Sequence, residues 1–304
     1  MRCLRDAYGD TLVKIGGDKR IVVLDADLSK STKTCKFAEK YPERFFNFGV
    51  CEQDMMGTAA GFASCGKIPF VSTFAIFASG RAWEQVRNTI AYSNLNVRIV
   101  ATHCGLNVGE DGASHQCIED IALMRAIGNM RVVAPADAIE TEKAIIASLD
   151  EGGPFYFRLP RSKVPVLFDE NYNFKLYNGE IMRDGSDIYI IACGIMVNEA
   201  MKAAEILKEK GIDAGVINMH TIKPIDKECI VKAAKKTGRI VTCEDHSIFG
   251  GLGSAVAEVL SSNYPTKMRI IGMKGFGESG PANELFRKYG LDGNGIANEI
   301  EKMR

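Results

Sequence analysis

The sequence predicts an α/β protein of two domains, each built on a mostly parallel sheet with helices on both faces. Three observations carry this prediction. The chain has 304 residues, which is too many for one small core and suits about two domains. Short β-branched runs alternate with longer helical patterns along the chain, as in parallel α/β units. These runs contain continuous apolar stretches, which are typical of strands covered on both faces.

The predicted strands fall into two groups. Residues 164–186 break the alternation, so we predict a first domain over 1–168, a linker over 169–181 and a second domain over 182–304. IETEKAIIASLDE and VNEAMKAAEILKEKG are predicted as covering helices. The strand sequences of the first group are RIVVLDAD, FFNFGV, IPFVSTF, NVRIVATH and MRVVAPAD, and those of the second are DIYIIACG, DAGVINMH, RIVTCEDH and MRIIGMKG.

Composition excludes several classes of function. The 38 basic and 38 acidic side chains cancel, so no charge excess predicts binding to nucleic acid or to a membrane surface. We expect neither a signal peptide nor a membrane span, because charges begin at the second residue and no long apolar stretch follows. The nine cysteines form no C-x-x-C pair, which favours reduced thiols in a cytoplasm.

Two strand ends in the first domain combine a carboxylate with aromatic rings. Ligands of parallel sheets bind beyond the carboxyl ends of the strands. Glu52 follows the strand FFNFG, and Phe74 and Phe77 follow the next strand. Taken alone, Glu52 could simply be a carboxylate that stabilises the start of a helix through the helix dipole, by about 0.3–1 kcal/mol. Taken alone, the two aromatic rings could simply belong to the apolar core. Together they suit a flat heteroaromatic base whose ring nitrogen needs a hydrogen-bond partner.

The stretch GEDGASHQ predicts a polar site at the end of another strand. His103 ends that strand, and glycines in the following loop allow Asp111 and His115 to fold back over it. Imidazoles can exchange protons with a hydroxylated substrate near neutral pH. Arg161 in FRLPRSKVP is either a fork for a phosphate group or an ordinary surface arginine. No His, Cys or Glu spacing here supports a closed metal site.

Two glycine motifs are predicted to be turns. GFGESG at 275–280 has the G-x-G-x-x-G form but lacks the later strand ending in an acid that a dinucleotide site requires. FGGLGSA at 249–255 fits a tight connection between a strand and a helix, although its amides could also hold an anion.

Five segments, in order and spacing, resemble the C-terminal half of transketolase, the thiamine-diphosphate enzyme of sugar-phosphate metabolism. The resemblance covers nearly all 304 residues. It implies a pyrimidine-binding domain followed by the family's C-terminal domain. It also implies transfer of a two-carbon ketol unit from a ketose phosphate to an aldose phosphate, in the pentose phosphate pathway of the cytoplasm. The segments are GVCEQ, STFAIF, ATHCGLNVGEDGASHQCIED, RLPRSKVP and FGESGPANELFRKYGL.

The resemblance assigns cofactor contacts to four residues. Glu52 resembles the glutamate that hydrogen-bonds the aminopyrimidine ring of thiamine diphosphate and thereby promotes loss of the proton from its thiazolium carbon. Phe74 and Phe77 are similar to aromatic residues that pack on this ring. Gly80 stands where the family has a third aromatic residue. Asp27 is similar to an aspartate near the cofactor.

The resemblance also assigns the substrate contacts. Asp111 matches the residue that reads a sugar hydroxyl. His115 matches the one beside the reacting carbonyl, where it could shuttle protons. The remaining four positions resemble contacts to the substrate phosphate: Ser31, His103, Arg161 and Arg2.

One family motif is missing from the sequence. Transketolases hold the diphosphate through a metal at a Gly-Asp-Gly motif in an N-terminal domain, and this chain contains no such tripeptide. The chain begins where the second domain of transketolase would begin. The resemblance therefore implies a split enzyme, in which an N-terminal transketolase subunit holds the diphosphate with Mg²⁺ or Ca²⁺. We expect a hetero-oligomer with two copies of each chain.

Three alternatives remain open. The beta subunit of a 2-oxo-acid dehydrogenase shares the fold and the division into two chains, but His103 and Arg161 suit phosphorylated sugars better than a small oxo acid. Deoxyxylulose-phosphate synthase is similar around EQ and STF, but it is normally one chain and has an arginine-containing sequence in place of THCG. The third alternative is a catalytically silent regulatory module.

Overall fold

The structure is a computed structural model in which residues 1–303 are described. Within these residues the chain forms fourteen strands and eleven α-helices. The strands are β1 Arg2–Cys3, β2 Ile21–Asp25, β3 Phe45–Asn47, β4 Ile68–Phe74, β5 Arg98–Thr102, β6 Arg131–Val133, β7 Phe155–Arg158, β8 Lys163–Val164, β9 Glu180–Arg183, β10 Ile188–Ala192, β11 Ala214–Asn218, β12 Thr221–Lys223, β13 Arg239–Ser247 and β14 Lys267–Met273. The α-helices are α1 Leu4–Ile15, α2 Ser29–Thr32, α3 Cys35–Lys40, α4 Glu52–Ser64, α5 Asp120–Ala126, α6 Ala138–Ala147, α7 Met196–Glu209, α8 Lys227–Thr237, α9 Leu252–Asn263, α10 Ala282–Lys288 and α11 Gly293–Glu301.

The first domain is built on a mostly parallel sheet, as predicted. Its strand order is β12-β6-β7-β5-β4-β2-β3, and only the edge strand β12 runs antiparallel to its neighbour among the described residues. Its central strands β2, β4 and β5 are buried along their whole length, which explains their continuous apolar sequences. Helices α1 and α6 pack against each other over this sheet.

The second domain repeats the plan on a smaller scale. Its sheet has the order β14-β13-β10-β11-β9, in which β9 pairs antiparallel with β11 and the other pairs are parallel. The amphipathic helix α7 packs on α11 and on β11. The predicted fold class, two mostly parallel sheets flanked by helices, is therefore confirmed for both domains.

The two halves of the sequence are interlocked by a strand that the sequence did not predict. Strand β12 follows β11 of the second sheet but pairs with β6 of the first. It has three residues, too few to show an alternating or apolar run. The two-residue strands β1 and β8, which pair with each other, were missed for the same reason.

The register of the first sheet gathers the predicted site residues at one edge. Phe74 at the end of β4 pairs with Thr102 at the end of β5, and Ala101 pairs with Arg158 at the end of β7. The loops that leave these strands therefore start side by side. No helix within residues 1–303 is long and apolar enough to cross a membrane.

The two glycine motifs are turns packed against protein groups. The backbone N–H groups of Leu252 and Gly253, at the start of α9, donate to the buried carboxylate of Glu244, so a side chain already fills this possible anion site. In GFGESG, a Cβ at Gly277 would lie 2.2 Å from Oε1 of Gln116, which explains why this position holds a glycine.

Candidate active site

A buried carboxylate marks the centre of the site. Glu52 is the first residue of α4 and is 1% exposed. Nη1 of Arg81 donates to Oε2 of Glu52 at 2.8 Å, so a charged partner offsets the cost of burying the carboxylate. Among residues 1–303, no side chain or backbone group hydrogen-bonds Oε1 of Glu52. Arg81 thus pairs with one carboxylate oxygen and leaves the other without a partner in this part of the chain.

The two predicted aromatic residues lie together beside this carboxylate. The rings of Phe74 and Phe77 are nearly parallel, with centroids 6.0 Å apart and planes inclined by 13°. The Arg81 guanidinium lies 4.5 Å from the centre of the Phe77 ring. The backbone from Phe77 to Arg81 forms a π-helical turn, a geometry often found at functional sites. A Cβ at Gly80 would meet nothing within 4 Å, so the place of the family's third aromatic residue is open space.

His103 is a buried, neutral imidazole. It follows β5 with a left-handed φ of 55° and is 4% exposed. Its ring stacks on Phe74 at a centroid distance of 3.8 Å. Burial, together with the nearby charges of Arg5 and Arg161, lowers the pKa of His103 to about 3. The residue therefore carries no positive charge near neutral pH.

The hydrogen bonds of His103 define its tautomer. Nη1 of Arg5 lies 3.5 Å from Nε2 of His103, and a guanidinium can only donate. Nε2 is therefore the acceptor, and Nδ1 carries the hydrogen that is donated to Oγ1 of Thr102 at 2.9 Å.

The loop after His103 brings the other predicted residues over the strand ends. The His115 ring stands edge-on to Phe74 and Phe77, with centroids 6.4 and 5.8 Å away. Its Nδ1 is 3.0 Å from Oγ of Ser114. Asp111 is exposed at the loop tip, with Oδ1 3.7 Å from Nη1 of Arg161.

Arg161 is bound to this loop rather than free on the surface. Its Nη1 donates to the carbonyl of Val108 at 2.6 Å and lies 3.2 Å from Oε2 of Glu110. These contacts fix the guanidinium next to Asp111. Being exposed, the ion pairs contribute orientation rather than much stability.

Arg5 is the residue that the sequence reasoning missed. From the second position of α1, its Nη1 donates to the carbonyl of Ser31 at 2.7 Å and its Nη2 donates to the carbonyl of Arg161 at 2.8 Å. Arg5 also contacts His103, so it touches Ser31, His103 and Arg161, three of the four residues predicted to bind the substrate phosphate. Its Nε is buried without a hydrogen-bond partner among the described residues. No motif marks this arginine, because its partners are 26, 98 and 156 residues away.

The structure does not bring Arg2 into this group. Arg2 is exposed in β1, where it pairs with Val164 of β8. Within residues 1–303, no hydrogen bond or ion pair joins its side chain to Ser31, His103 or Arg161.

Asp27 lies at the edge of the site in a left-handed turn. Its φ is 61°, and Oδ1 accepts a hydrogen bond from Nδ2 of Asn47 at 3.1 Å. Asp25 stabilises the same turn from inside, because its buried carboxylate accepts hydrogen bonds from Leu28 and Thr32. These contacts place Ser31 beside Arg5.

Comparisons with known proteins assign a family to both parts of the chain. The model of the transketolase pyrimidine-binding domain matches residues 3–166, and that of the transketolase C-terminal domain matches residues 178–296. A protein of Methanocaldococcus jannaschii, classed provisionally as a transketolase C-terminal section, is 54% identical over 307 residues, which cover 99% of this chain and 96% of the relative. A 6-deoxy-6-sulfo-D-fructose transketolase subunit of Clostridium sp. (strain MSTE9) is 42% identical over 302 residues, covering 99% of this chain and 94% of that subunit.

A solved structure matches over the same length. It is described as a split-gene transketolase in the form of an inactive β4 tetramer, and it superposes with a TM-score of 0.91 at 48% sequence identity. The match covers 99% of this chain and 97% of that one.

The neutral state of His103 leads to a spectroscopic prediction. In NMR spectra of the isolated chain, the imidazole signal that disappears in His103→Gln should not shift between pH 5 and pH 8, because its pKa is about 3. Below about pH 6.5 the unfolded chain takes up a proton on His103, whereas the folded chain does not. The contribution of the neutral His103 to the free energy of unfolding is therefore lost as the pH falls from about 6.5 towards 3. A titration midpoint near pH 6.5 for that signal would contradict the described environment.

The pairing of Glu52 with Arg81 leads to a stability prediction. Arg81→Met leaves a buried carboxylate without its charged partner, and we expect a loss of about 1–2 kcal/mol in the free energy of unfolding, since Arg81 is partly exposed. In a Glu52→Gln background, the same change should cost less than about 0.5 kcal/mol. Urea unfolding measures both, with the exposed Arg87→Met as the matched control. If Arg81→Met lowered the free energy of unfolding equally in the wild-type and Glu52→Gln backgrounds, the pairing of Arg81 with Glu52 would be refuted.

Proposed function

This chain belongs to the transketolase family, and we propose that it is the C-terminal subunit of a two-chain transketolase. In this proposal the assembled enzyme transfers a two-carbon ketol unit from a ketose phosphate to an aldose phosphate, within the pentose phosphate pathway of the cytoplasm. The subunit supplies the groups that bind the cofactor's pyrimidine ring and the substrate, and a second chain supplies the rest of the site.

The observation that carries the proposal is the unpaired oxygen of the buried Glu52 carboxylate. A carboxylate oxygen that has no protein donor, on a side chain that is only 1% exposed, is suited to a nitrogen of a bound heteroaromatic ring. The nearly parallel rings of Phe74 and Phe77 provide apolar surface for such a ring. These residues fit the aminopyrimidine of thiamine diphosphate. When bound, this cofactor supplies the electron sink that allows a carbon–carbon bond beside a ketone to break.

The two histidines have different tasks in the proposed reaction. His103 is neutral and buried against Phe74, so it orients the Arg5 guanidinium by a hydrogen bond rather than by charge. Nδ1 of His115 has the Ser114 hydroxyl as a partner, and Nε2 is available to exchange a proton with the carbonyl or hydroxyl oxygen of the substrate. We propose that Asp111, held beside Arg161 at the loop tip, accepts a hydrogen bond from a sugar hydroxyl.

We propose that the far end of the substrate carries an anion that Arg5 and Arg161 bind. Guanidinium groups form charge-assisted hydrogen bonds with phosphate, and the arrangement of their donors also suits a sulfonate. The sulfofructose transketolase subunit from Clostridium has a substrate of the second kind by its name. Ser31 lies within the same group of residues, through its carbonyl contact with Arg5.

The partner chain is proposed to hold the diphosphate and its Mg²⁺ or Ca²⁺. The sequence lacks the Gly-Asp-Gly motif, and its relatives include a C-terminal section and a transketolase subunit of similar length. The structurally similar split-gene chain is described as inactive when four copies assemble alone. We propose the same need for a second polypeptide here, in an assembly with two copies of each chain.

The test of the function is an assay of the chain mixed with an N-terminal transketolase subunit, on xylulose 5-phosphate and ribose 5-phosphate. Product formation only in the mixture supports the proposal. Activity that requires pyruvate would favour the alternatives of a 2-oxo-acid dehydrogenase or deoxyxylulose-phosphate synthase. Tight cofactor binding and turnover by the isolated chain would refute the two-chain arrangement.

Replacing Glu52 should abolish most of the activity. We expect Glu52→Gln to lower kcat by roughly 10²–10⁴-fold, because the amide cannot exchange a proton with the cofactor ring. Glu39→Gln, an exposed change on α3, is the control and should leave kcat unaltered. Steady-state kinetics of the reconstituted enzyme provide the measurement, and a near-normal rate for Glu52→Gln would remove its proposed role.

Two arginines near the N-terminus form a matched pair for testing the anion site. Arg5→Met should raise KM for a phosphorylated ketose by roughly 10–100-fold, since a hydrogen bond to a charged group is worth about 1.5–3 kcal/mol. It should leave KM for the corresponding neutral ketose nearly unchanged. Arg2→Met should have little effect on either value. If Arg2→Met instead gave the larger increase, the phosphate contact would belong to Arg2.

A further inference from the structure

The loop that carries Asp111 and His115 has little regular structure of its own. It contains a short 3₁₀ segment, Leu106–Asp111, which is interrupted at Gly109 by a φ of 79°. Gly105 and Gly112 also have left-handed φ values. A loop with this much backbone freedom needs contacts from outside to hold one conformation.

The outside contacts come from the end of β13 in the second domain. The carboxylate of Asp245, only 3% exposed, accepts hydrogen bonds from the backbone N–H groups of Leu106 at 2.8 Å and Asn107 at 3.4 Å. A Cβ at Gly105 would lie 2.2 Å from Oδ2 of Asp245. The loop can approach this carboxylate so closely only because position 105 is a glycine.

The rest of the loop is held by the segment before α10. Oγ of Ser279 donates to the carbonyl of Glu110 at 2.5 Å. Nε2 of Gln116 donates both to the carbonyl of Glu278 at 2.9 Å and to the carbonyl of Gly109 at 3.1 Å. The second domain therefore contacts the loop at its start, at its tip and on its return.

The end of β13 is itself fixed to the first domain by a buried arginine. Nη2 of Arg158 donates to the backbone carbonyl of Asp245 at 2.7 Å, and its Nε donates to Asp120 at 2.9 Å. Because Arg158 ends β7, the position of Asp245 is tied to the same sheet edge that carries the active site.

We propose that Asp245 is a positioning residue, through which the second domain sets the conformation of the substrate-binding loop. It acts on the backbone of residues 105–107 and thereby on Asp111 and His115, without contact to substrate or cofactor. The kinetic part of this inference rests on the proposed function, whereas the structural part does not.

The sequence offers a matched control on the same strand. Glu244 is equally buried and also accepts two backbone N–H groups, but these belong to Leu252 and Gly253 in α9 of the second domain. Asp245→Asn places an amide N–H group against one of the two loop donors. Glu244→Gln makes the same chemical change at the start of α9, away from the loop.

The first measurement is amide hydrogen exchange in the isolated chain. We expect Asp245→Asn to accelerate exchange in residues 105–112 at least tenfold and Glu244→Gln to accelerate it only around residues 251–254. Wild-type exchange rates for the loop in Asp245→Asn would overturn the proposal. If Asp245→Asn does not fold, Asp245→Ser decides, because it also removes the carboxylate that accepts from Leu106 and Asn107, and it should accelerate exchange at residues 105–107. Unchanged exchange there would then overturn the proposal.

The second measurement separates positioning from a general loss of stability. In the reconstituted enzyme, Asp245→Asn should raise KM for the phosphorylated ketose about tenfold and lower kcat about tenfold. Glu244→Gln should lower Tm by a similar amount but change KM and kcat by less than about twofold. Equal kinetic losses in the two variants would refute the positioning role. If the wild-type pair shows no transketolase activity, the proposed function fails, and hydrogen exchange still decides whether Asp245 holds the loop.

Discussion

The burial of the Glu52 carboxylate is the constraint on which the rest of the site depends. Removing an ion from water costs several kcal/mol, and a fold accepts that cost only where partners are supplied. Here Arg81 satisfies one oxygen and leaves the other unpaired. The strand ends around Glu52 contribute the aromatic rings of Phe74 and Phe77, and the neutral imidazole of His103 stacks behind them. The arrangement places two nearly parallel aromatic rings beside one carboxylate oxygen that has no protein donor among residues 1–303.

The contacts between the domains hold the loop that carries Asp111 and His115. Parallel strands whose carboxyl ends align bring several loops together, but they do not fix the shape of a glycine-rich loop. That shape comes from the second sheet, through the Asp245 carboxylate and the segment around Ser279. The charges of Arg158 and Asp120 in turn hold the end of β13 against the first sheet. The two domains are therefore joined at this loop as well as through β12, which crosses from one sheet to the other.

The sequence predicted what depends on local patterns. Apolar runs identified the strands β2, β4, β5, β10, β11 and β13, and Glu52, Phe74 and Phe77 were singled out because they lie at or soon after the ends of predicted strands. Arg5 was missed because its role comes from three backbone and side-chain partners far away in sequence. Asp245 lies in the predicted strand RIVTCEDH, but its contact with the loop was not predicted, because the glycine that makes room for it is 140 positions earlier. The neutrality of His103 depends on burial, which sequence spacing does not reveal.

We propose that this chain binds the pyrimidine end of thiamine diphosphate while a second polypeptide holds its charged end. A crystal structure of the reconstituted pair with thiamine diphosphate and Mg²⁺ tests it most directly. We expect the pyrimidine ring on the Phe74 and Phe77 side chains, with a ring nitrogen within hydrogen-bond distance of Oε1 of Glu52. We expect the diphosphate and the metal on the other chain. A cofactor bound away from Glu52, or a diphosphate held by residues of this chain, would contradict it.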